Sequence, residues 1–188
     1  MKRAVLICPG RGTYNAPELG SVTRHFPDAD LLHRFDNMRQ SAGQETLAAL
    51  DQAPKFDPKR HTTGDNASAL IFAGALGDRL SLDPAKVELV AITGYSMGRY
   101  SALACAGAVT AETGFYIANT MGTLMHAEAT GGQVVYPHTG ENWGTQPAEK
   151  AKLLALATEI NARPNHQLAL SIDLGGMLVL AGNTKGLR

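Results

Sequence analysis

The apolar segment 87–93 runs directly into a Gly-Tyr-Ser-Met-Gly pentapeptide at 94–98, and this junction constrains the fold more than any other part of the sequence. Aliphatic and β-branched residues before the first glycine predict a buried strand, and the mostly small, apolar residues at 100–108 predict a helix after the second. A serine on such a strand-to-helix turn exposes its hydroxyl above the sheet. This context predicts that Ser96 is a nucleophile; the alternative is a structural turn, which glycine and serine also favour.

Length and charge restrict the class of protein. The chain has 188 residues, which suits one domain or a domain with a small appendage. Its 17 basic and 17 acidic residues are scattered, without the basic stripe that nucleic acid requires. No apolar run approaches the ~20 residues of a membrane span, and the run at 4–8 is too short for a signal peptide. We therefore expect no nucleic-acid partner and no membrane.

The two cysteines, Cys8 and Cys105, lie in apolar stretches of the sequence. This setting predicts buried thiols rather than a disulfide, and it favours the reducing cytoplasm. There is no paired-cysteine motif and no His-x-x-x-His spacing, so no metal site is expected.

The order of predicted elements indicates an α/β fold with a parallel sheet. The continuous apolar run at 4–8 is typical of a parallel strand buried on both faces. Mixed polar residues at 15–62 predict short helices, and either Asn66 or Asp65 could cap the next helix. The core elements are expected at 4–8, 66–80, 87–93, 100–108 and 111–127.

The character of the sequence changes at two consecutive glycines, 131 and 132. A strand, a long helix and two further strands are predicted after them, at 133–136, 148–161, 166–173 and 177–181. This β-α-β-β order is three quarters of a ferredoxin-like unit. We therefore expect a core domain at 1–130 and an incomplete ferredoxin-like subdomain at 131–188.

Four landmarks appear in the order in which one enzyme family has them. Cys-Pro-Gly-Arg-Gly-Thr at 8–13 is similar to a first-strand loop that usually reads Phe-Pro-Gly-Gln-Gly-Ser. A helix at 66–80 precedes the turn, 94–103 is close to Gly-His-Ser-Leu-Gly-Glu-Tyr-Ser-Ala-Leu, and 178–183 corresponds to a late strand with its glycine. Together they make the chain resemble the malonyl-CoA:acyl-carrier-protein transacylase family, the acyltransferases of fatty-acid and polyketide synthesis.

The resemblance implies a hydrolase-like core with a ferredoxin-like subdomain and an active site in the cleft between them. It implies a ping-pong acyl transfer in which Ser96 attacks acyl-CoA and the phosphopantetheine thiol of an acyl carrier protein then takes the acyl group. The backbone N–H groups of Met97 and Arg11 would form the oxyanion hole, and Gly10 would bind the substrate. Acyl-CoA and phosphopantetheine are then substrates, and no bound cofactor is expected.

Position 121 departs from the family, whose malonyl enzymes carry there an arginine that pairs with the malonyl carboxylate. Met121 cannot neutralise a carboxylate, and burying an unpaired one is costly. We therefore expect an uncharged acyl group, such as acetyl or a longer monocarboxylic chain. The alternative is that Met121 only packs in the core.

The turn itself also differs from the family. Tyr95 replaces a histidine, and its ring could shape the acyl pocket. Arg99 replaces a glutamate. It either meets an anionic group on the incoming CoA or carrier, or it is a solvated charge on the helix surface.

The family's catalytic histidine follows the small subdomain, and none of the six histidines of this chain matches it. Either the chain is a fragment, or a further polypeptide segment supplies the histidine, or the protein is a degenerate acyltransferase. The first explanation is favoured, because the ferredoxin-like unit also stops before its last helix and strand.

Two other functions stay open. A thioester hydrolase would use the same serine and would need an acid and a histidine downstream of Ser96. A non-catalytic domain would bind an acyl carrier without using Ser96. The reaction product and the labelling of the serine discriminate between these functions.

Overall fold

In the computed structural model, two parallel strands form the sheet of the N-terminal part of the chain. β1 (Lys2–Cys8) pairs with β2 (Val87–Gly94) in a register that places Cys8 opposite Gly94. Both strands therefore end at the same edge of the sheet. Parallel strands cannot be joined by a tight turn, and a long helical crossover connects these two.

Helices make up most of the rest of this part. The structure describes residues 1–128 and 130–188 and separates the chain into two compact units, Met1–Glu128 and Ala129–Arg188. The helices of the first unit are a 3-10 turn at Ala16–Glu18, α1 (Ser21–His25), α2 (Ala29–Ser41), α3 (Leu47–Asp51), α4 (Pro58–His61), α5 (Gly64–Leu80), α6 (Gly98–Cys105) and α7 (Ala111–Glu128).

One face of the sheet is open among the described residues, so the expectation that the first strand is buried on both faces was wrong. Cys8 is buried and Leu6 packs against the core, whereas Val5 and Ile7 are 54% and 70% exposed. The pleat of a strand sends alternate side chains to opposite faces. Only the face of Leu6 and Cys8 meets the helical core of the first unit.

Three phenylalanines hold three of the helices together. Phe35 on α2 stacks on Phe115 of α7 with ring centroids 4.3 Å apart. Phe72 on α5 meets both rings edge to face, at 6.0 and 5.7 Å. All three side chains are fully buried, and stacked and edge-to-face pairs are the geometries that aromatic rings prefer. They fix α2, α5 and α7 relative to one another.

A buried arginine joins the same three helices. Arg39 on α2 is fully buried. Its guanidinium donates to the carbonyl oxygens of Glu45 and Asp65, at 2.5 and 3.1 Å. It also donates to the amide oxygens of Asn66 and Asn119, at 2.5 and 2.6 Å. Burial lowers the pKa of Arg39, and these four acceptors satisfy donors that would otherwise be stranded away from water.

The N-terminus of α5 differs from the prediction. The helix begins at Gly64 with Thr63 as its N-cap residue and no side-chain cap. Asn66 or Asp65 was expected as the cap, but both lie inside the helix. The side chain of Asn66 accepts from Arg39 and donates to the carbonyl of Arg60. Tertiary hydrogen bonds have thus taken the side chain that local sequence assigned to capping.

The helix that follows the turn also ends earlier than predicted. α6 stops at Cys105, and Gly107 adopts a left-handed φ of 71°. The N–H of Ala108 donates to the carbonyl of Leu103, and the N–H of Gly107 donates to that of Ala104. These are the two hydrogen bonds of a Schellman motif, which terminates a helix at a glycine.

The second unit forms the β-α-β-β arrangement that the sequence predicts. Its elements are β3 (Gly132–Pro137), α8 (Pro147–Asn161), β4 (Leu168–Asp173) and β5 (Met177–Gly182). The sheet order is β3-β5-β4, and both pairings are antiparallel. Its small core consists of Ala157, Leu168, Leu178 and Leu180.

Among the described helices, none has both the length and the apolar character needed to cross a membrane.

Substituting alanine for Gly114 should destabilise the first unit. The new Cβ would lie 2.6 Å from the Cβ of Ala104 and 3.1 Å from the ring of Phe72, so packed helices would have to move. We expect a loss of about 1–3 kcal/mol in the free energy of unfolding, measured by urea denaturation.

Gly74→Ala is the matched control, because a Cβ at Gly74 on α5 meets no atom within 4 Å. The higher helix propensity of alanine should raise the free energy of unfolding by up to about 1 kcal/mol. Equal effects of the two substitutions would contradict the close approach of α7 to its neighbours.

Candidate active site

The turn between β2 and α6 holds Ser96 in an unusual backbone conformation. Ser96 has φ of 52°, in the left-handed region that non-glycine residues rarely adopt, and its side chain is exposed. A Cβ at Gly94 would lie 2.1 Å from the carbonyl oxygen of Gly98, and one at Gly98 would lie 2.2 Å from that of Cys8. Both positions therefore require glycine, and the resulting sharp turn presents the serine hydroxyl.

The glycine-rich loop after β1 packs against this turn. A Cβ at Gly10 would lie 3.2 Å from the carbonyl oxygen of Tyr95 and 3.7 Å from the Cβ of Ser96. Tyr14, at the far end of the loop, is buried, and its hydroxyl donates to Asp51 at 2.5 Å. Burial and the Asp51 carboxylate raise the pKa of Tyr14, so the hydroxyl stays protonated as a donor. The loop is thereby fixed at both ends.

Two backbone N–H groups near the serine have no partner in the described part of the chain. Among the described residues, neither the N–H of Met97 nor that of Arg11 donates a hydrogen bond. Met97 is the N-cap residue of α6, where the helix dipole favours negative charge. Free N–H groups at such a position can stabilise a developing oxyanion.

A cavity of about 360 Å³ lies in front of the serine. Five of the predicted site residues line it: Arg11, Ser96, Met97, Arg99 and Met121. The other two predicted residues lie beside it. Gly10 packs against the backbone of the turn, and the ring of Tyr95 has its centroid 6.0 Å from the Cζ of Arg99.

Four further residues line the cavity that the sequence did not single out: Ser68, Tyr100, Gly122 and Met125. Met125 follows Met121 by one helical turn, so the two side chains lie on the same face of α7. This spacing could have identified Met125 from the sequence. Ser68 comes from α5, and only the packing of α5 on α7 brings it to the site. A Cβ at Gly122 would lie 2.4 Å from the carbonyl oxygen of Gly64, which permits this close packing.

The charges at the cavity are all positive. Arg11 and Arg99 line it, and neither forms an ion pair with a described residue. No aspartate, glutamate or histidine is among the described lining residues. His61, the buried histidine among the described residues of the first unit, is engaged elsewhere, since its ring contacts the carbonyl of Leu50 and the N–H of Asp57.

Both cysteines are free and buried, as predicted. Cys8 ends β1 beside the turn, and Cys105 ends α6. Burial raises the pKa of both thiols, that of Cys105 to about 12, with the neighbouring Cys8 adding to the effect on Cys105.

Known structures share the fold of this chain. The chain is similar to MCAT from Mycobacterium tuberculosis, with a TM-score of 0.73, 22% sequence identity and 99% of this chain covered. It is similar to an acyl-carrier-protein S-malonyltransferase from Burkholderia pseudomallei, with a TM-score of 0.72, 17% identity and 100% of this chain covered. The chain has the malonyl-CoA:acyl-carrier-protein transacylase fold.

The transacylase fold also includes the acyl transferase domain of ZmaA, which matches with a TM-score of 0.72 and 18% identity over 99% of this chain. The chain spans 57% of the length of the mycobacterial and Burkholderia proteins and 41% of the ZmaA chain. No family model matches the sequence, and no curated protein does. The fold class expected from the sequence is confirmed, and the likeness establishes the fold alone.

The buried thiols should resist alkylation in the folded protein. At about pH 8 an ordinary cysteine is partly thiolate, whereas raised pKa values keep Cys8 and Cys105 protonated. We expect iodoacetamide to modify neither residue natively and both after denaturation, as measured by mass spectrometry. Rapid native modification would contradict the burial.

Proposed function

We propose that this protein is a serine acyltransferase. It would move an acyl group from acyl-CoA to the phosphopantetheine thiol of an acyl carrier protein through an acyl-Ser96 intermediate. The observation that carries this proposal is the strained turn, which presents Ser96 beside the unpartnered N–H groups of Met97 and Arg11. The transacylase fold supports it.

The reaction has two matched halves. The Oγ of Ser96 attacks the thioester carbonyl carbon; the new C–O bond forms, the C–S bond breaks, and CoA leaves as a thiol with the proton that Ser96 gave up. The carrier thiol then attacks the ester; a C–S bond forms, the C–O bond breaks, and Ser96 regains its proton. Each tetrahedral intermediate carries a negative oxygen, which the N–H groups of Met97 and Arg11 would bind.

A base must take the proton of Ser96, because a serine hydroxyl is a weak nucleophile at neutral pH. No histidine, aspartate or glutamate lines the cavity in the described part of the chain. We propose that a histidine from a further polypeptide segment fills this role.

The acyl group is proposed to be uncharged. Met97, Met121 and Met125 line the cavity with thioether side chains. Such side chains are flexible and apolar, and they adapt to an acyl chain. A carboxylate placed against Met121 would lose its hydration on the methionine wall of α7, whereas both guanidinium groups of the cavity belong to the loop and the turn.

The guanidinium groups of Arg11 and Arg99 are proposed to attract the donor and the acceptor. Both acyl-CoA and a phosphopantetheine arm carry phosphate, and unpaired positive charge at a cavity raises the rate of encounter with anions. The cation–π contact with Tyr95 would hold Arg99 near the mouth. The free thiols of Cys8 and Cys105 favour a reducing compartment, and we propose the cytoplasm.

Intact-mass spectrometry of the native protein, with any polypeptide bound to it, tests the acyl-enzyme. On exposure to acyl-CoA we expect one acyl adduct, located on the peptide that contains Ser96, and none on the Ser96→Ala variant. Ser101→Ala is the control, because Ser101 is a buried serine of α6 outside the cavity. An adduct that survives Ser96→Ala would contradict the proposed nucleophile.

Met121→Arg tests the charge of the acyl group. An arginine at this position would place a guanidinium against a bound carboxylate, and a hydrogen bond to a charged group is worth about 1.5–3 kcal/mol. We expect the ratio of kcat/KM for malonyl-CoA to that for acetyl-CoA to rise at least about tenfold.

Met121→Leu is the apolar control and should keep the wild-type ratio. A clear preference of the wild-type protein for malonyl-CoA would show that the acyl group is not uncharged.

A further inference from the structure

Ser68 is a buried hydroxyl that the proposed reaction does not use. It lies on α5, is 1% exposed, and lines the cavity that contains Ser96. Its Oγ makes no hydrogen bond to any residue that the structure describes.

Several hydroxyls within a helix or at its end are satisfied by the helix backbone. Ser41, Ser81 and Thr158 each donate to the carbonyl oxygen four residues earlier, at 2.8, 2.9 and 2.9 Å. This is the usual bond of a serine or threonine within a helix. Ser68 makes no such bond to Gly64, whose carbonyl oxygen faces Gly122 of α7 instead.

The surroundings of Ser68 offer no substitute partner. A Cβ at Gly122 would lie 2.7 Å from both the Cβ and the Oγ of Ser68, so α7 packs directly over it. The neighbouring wall of the cavity is formed by Met121 and Met125. Ser68 is thus a neutral polar group on an apolar wall. Buried polar groups are almost always paired, and the partner of Ser68 must come from the cavity, either water or a ligand atom.

We infer that Ser68 hydrogen-bonds an oxygen substituent of the acyl group. The preferred substrates are then uncharged acyl groups that carry a hydroxyl or oxo group in addition to the thioester carbonyl. A serine hydroxyl both donates and accepts, so it serves either substituent. This inference rests on the proposed acyl transfer and assigns its substrate class.

The thioester carbonyl cannot itself be the partner. Its oxygen becomes the oxyanion, for which the N–H groups of Met97 and Arg11 are free. A plain alkyl chain would leave Ser68 unpaired. A site that is built to hydrogen-bond a substrate oxygen discriminates against the analogue that lacks it. Ser68 is therefore a specificity-determining residue.

Calorimetric binding in the Ser96→Ala background tests the inference without turnover. The probes are butyryl-CoA, 2-hydroxybutyryl-CoA and 3-hydroxybutyryl-CoA. We expect at least one hydroxylated ligand to bind about fivefold more tightly than butyryl-CoA, the effect of one neutral hydrogen bond. Adding Ser68→Ala should remove this difference and leave the affinity for butyryl-CoA unchanged.

Ser101→Ala in the same background is the matched control, since it removes a hydroxyl that is equally buried but does not line the cavity. It should keep the fivefold difference. Equal affinities for all three ligands, or a difference that survives Ser68→Ala, would overturn the role of Ser68 and leave acyl transfer standing. Failure of every acyl-CoA to bind would overturn both.

Discussion

The first unit depends on one steric constraint, which is that the start of α6 lies directly against the end of β1. A Cβ at Gly98 would overlap the carbonyl oxygen of Cys8. A Cβ at Gly94 would overlap the carbonyl oxygen of Gly98. Because Gly94 and Gly98 have no side chains, the chain can turn sharply enough to hold Ser96 at a positive φ. The position of Ser96 therefore follows from packing between two backbones, not from any hydrogen bond of the serine itself.

Helix packing decides the chemistry in front of that serine. α5 and α7 approach closely because Gly64 and Gly122 meet without side chains, and the buried phenylalanines and Arg39 hold both helices in register with α2. This contact places methionines and one unpaired hydroxyl on the wall of the cavity, while guanidinium groups lie at the turn and the loop. A wall of methionines that carries the neutral hydroxyl of Ser68 suits an uncharged, oxygenated acyl chain. The same wall would suit a carboxylate poorly.

The sequence predicted features that depend on neighbouring residues and missed features that depend on tertiary contacts. The turn at Ser96 was predictable because glycines flank it between a strand and a helix, and the β-α-β-β order of the second unit follows from alternating periodicities. The N-cap of α5 was not predictable, because the side chain of Asn66 accepts a hydrogen bond from Arg39. Arginine side chains are rarely fully buried, so the sequence offered no reason to place Arg39 in the core. The position of Ser68 at the cavity could not be predicted either, since only the packing of α5 on α7 brings it there.

Single-turnover transfer from the acyl-enzyme tests the central claim most directly. The native protein would be labelled with a radioactive acyl group, freed of acyl-CoA, and mixed with an acyl carrier protein with or without its phosphopantetheine arm. We predict that the label leaves Ser96 for the carrier that bears the arm, and stays on the protein with the carrier that lacks it. Release of the label as free acid, at the same rate with either carrier, would contradict acyl transfer and identify a hydrolase.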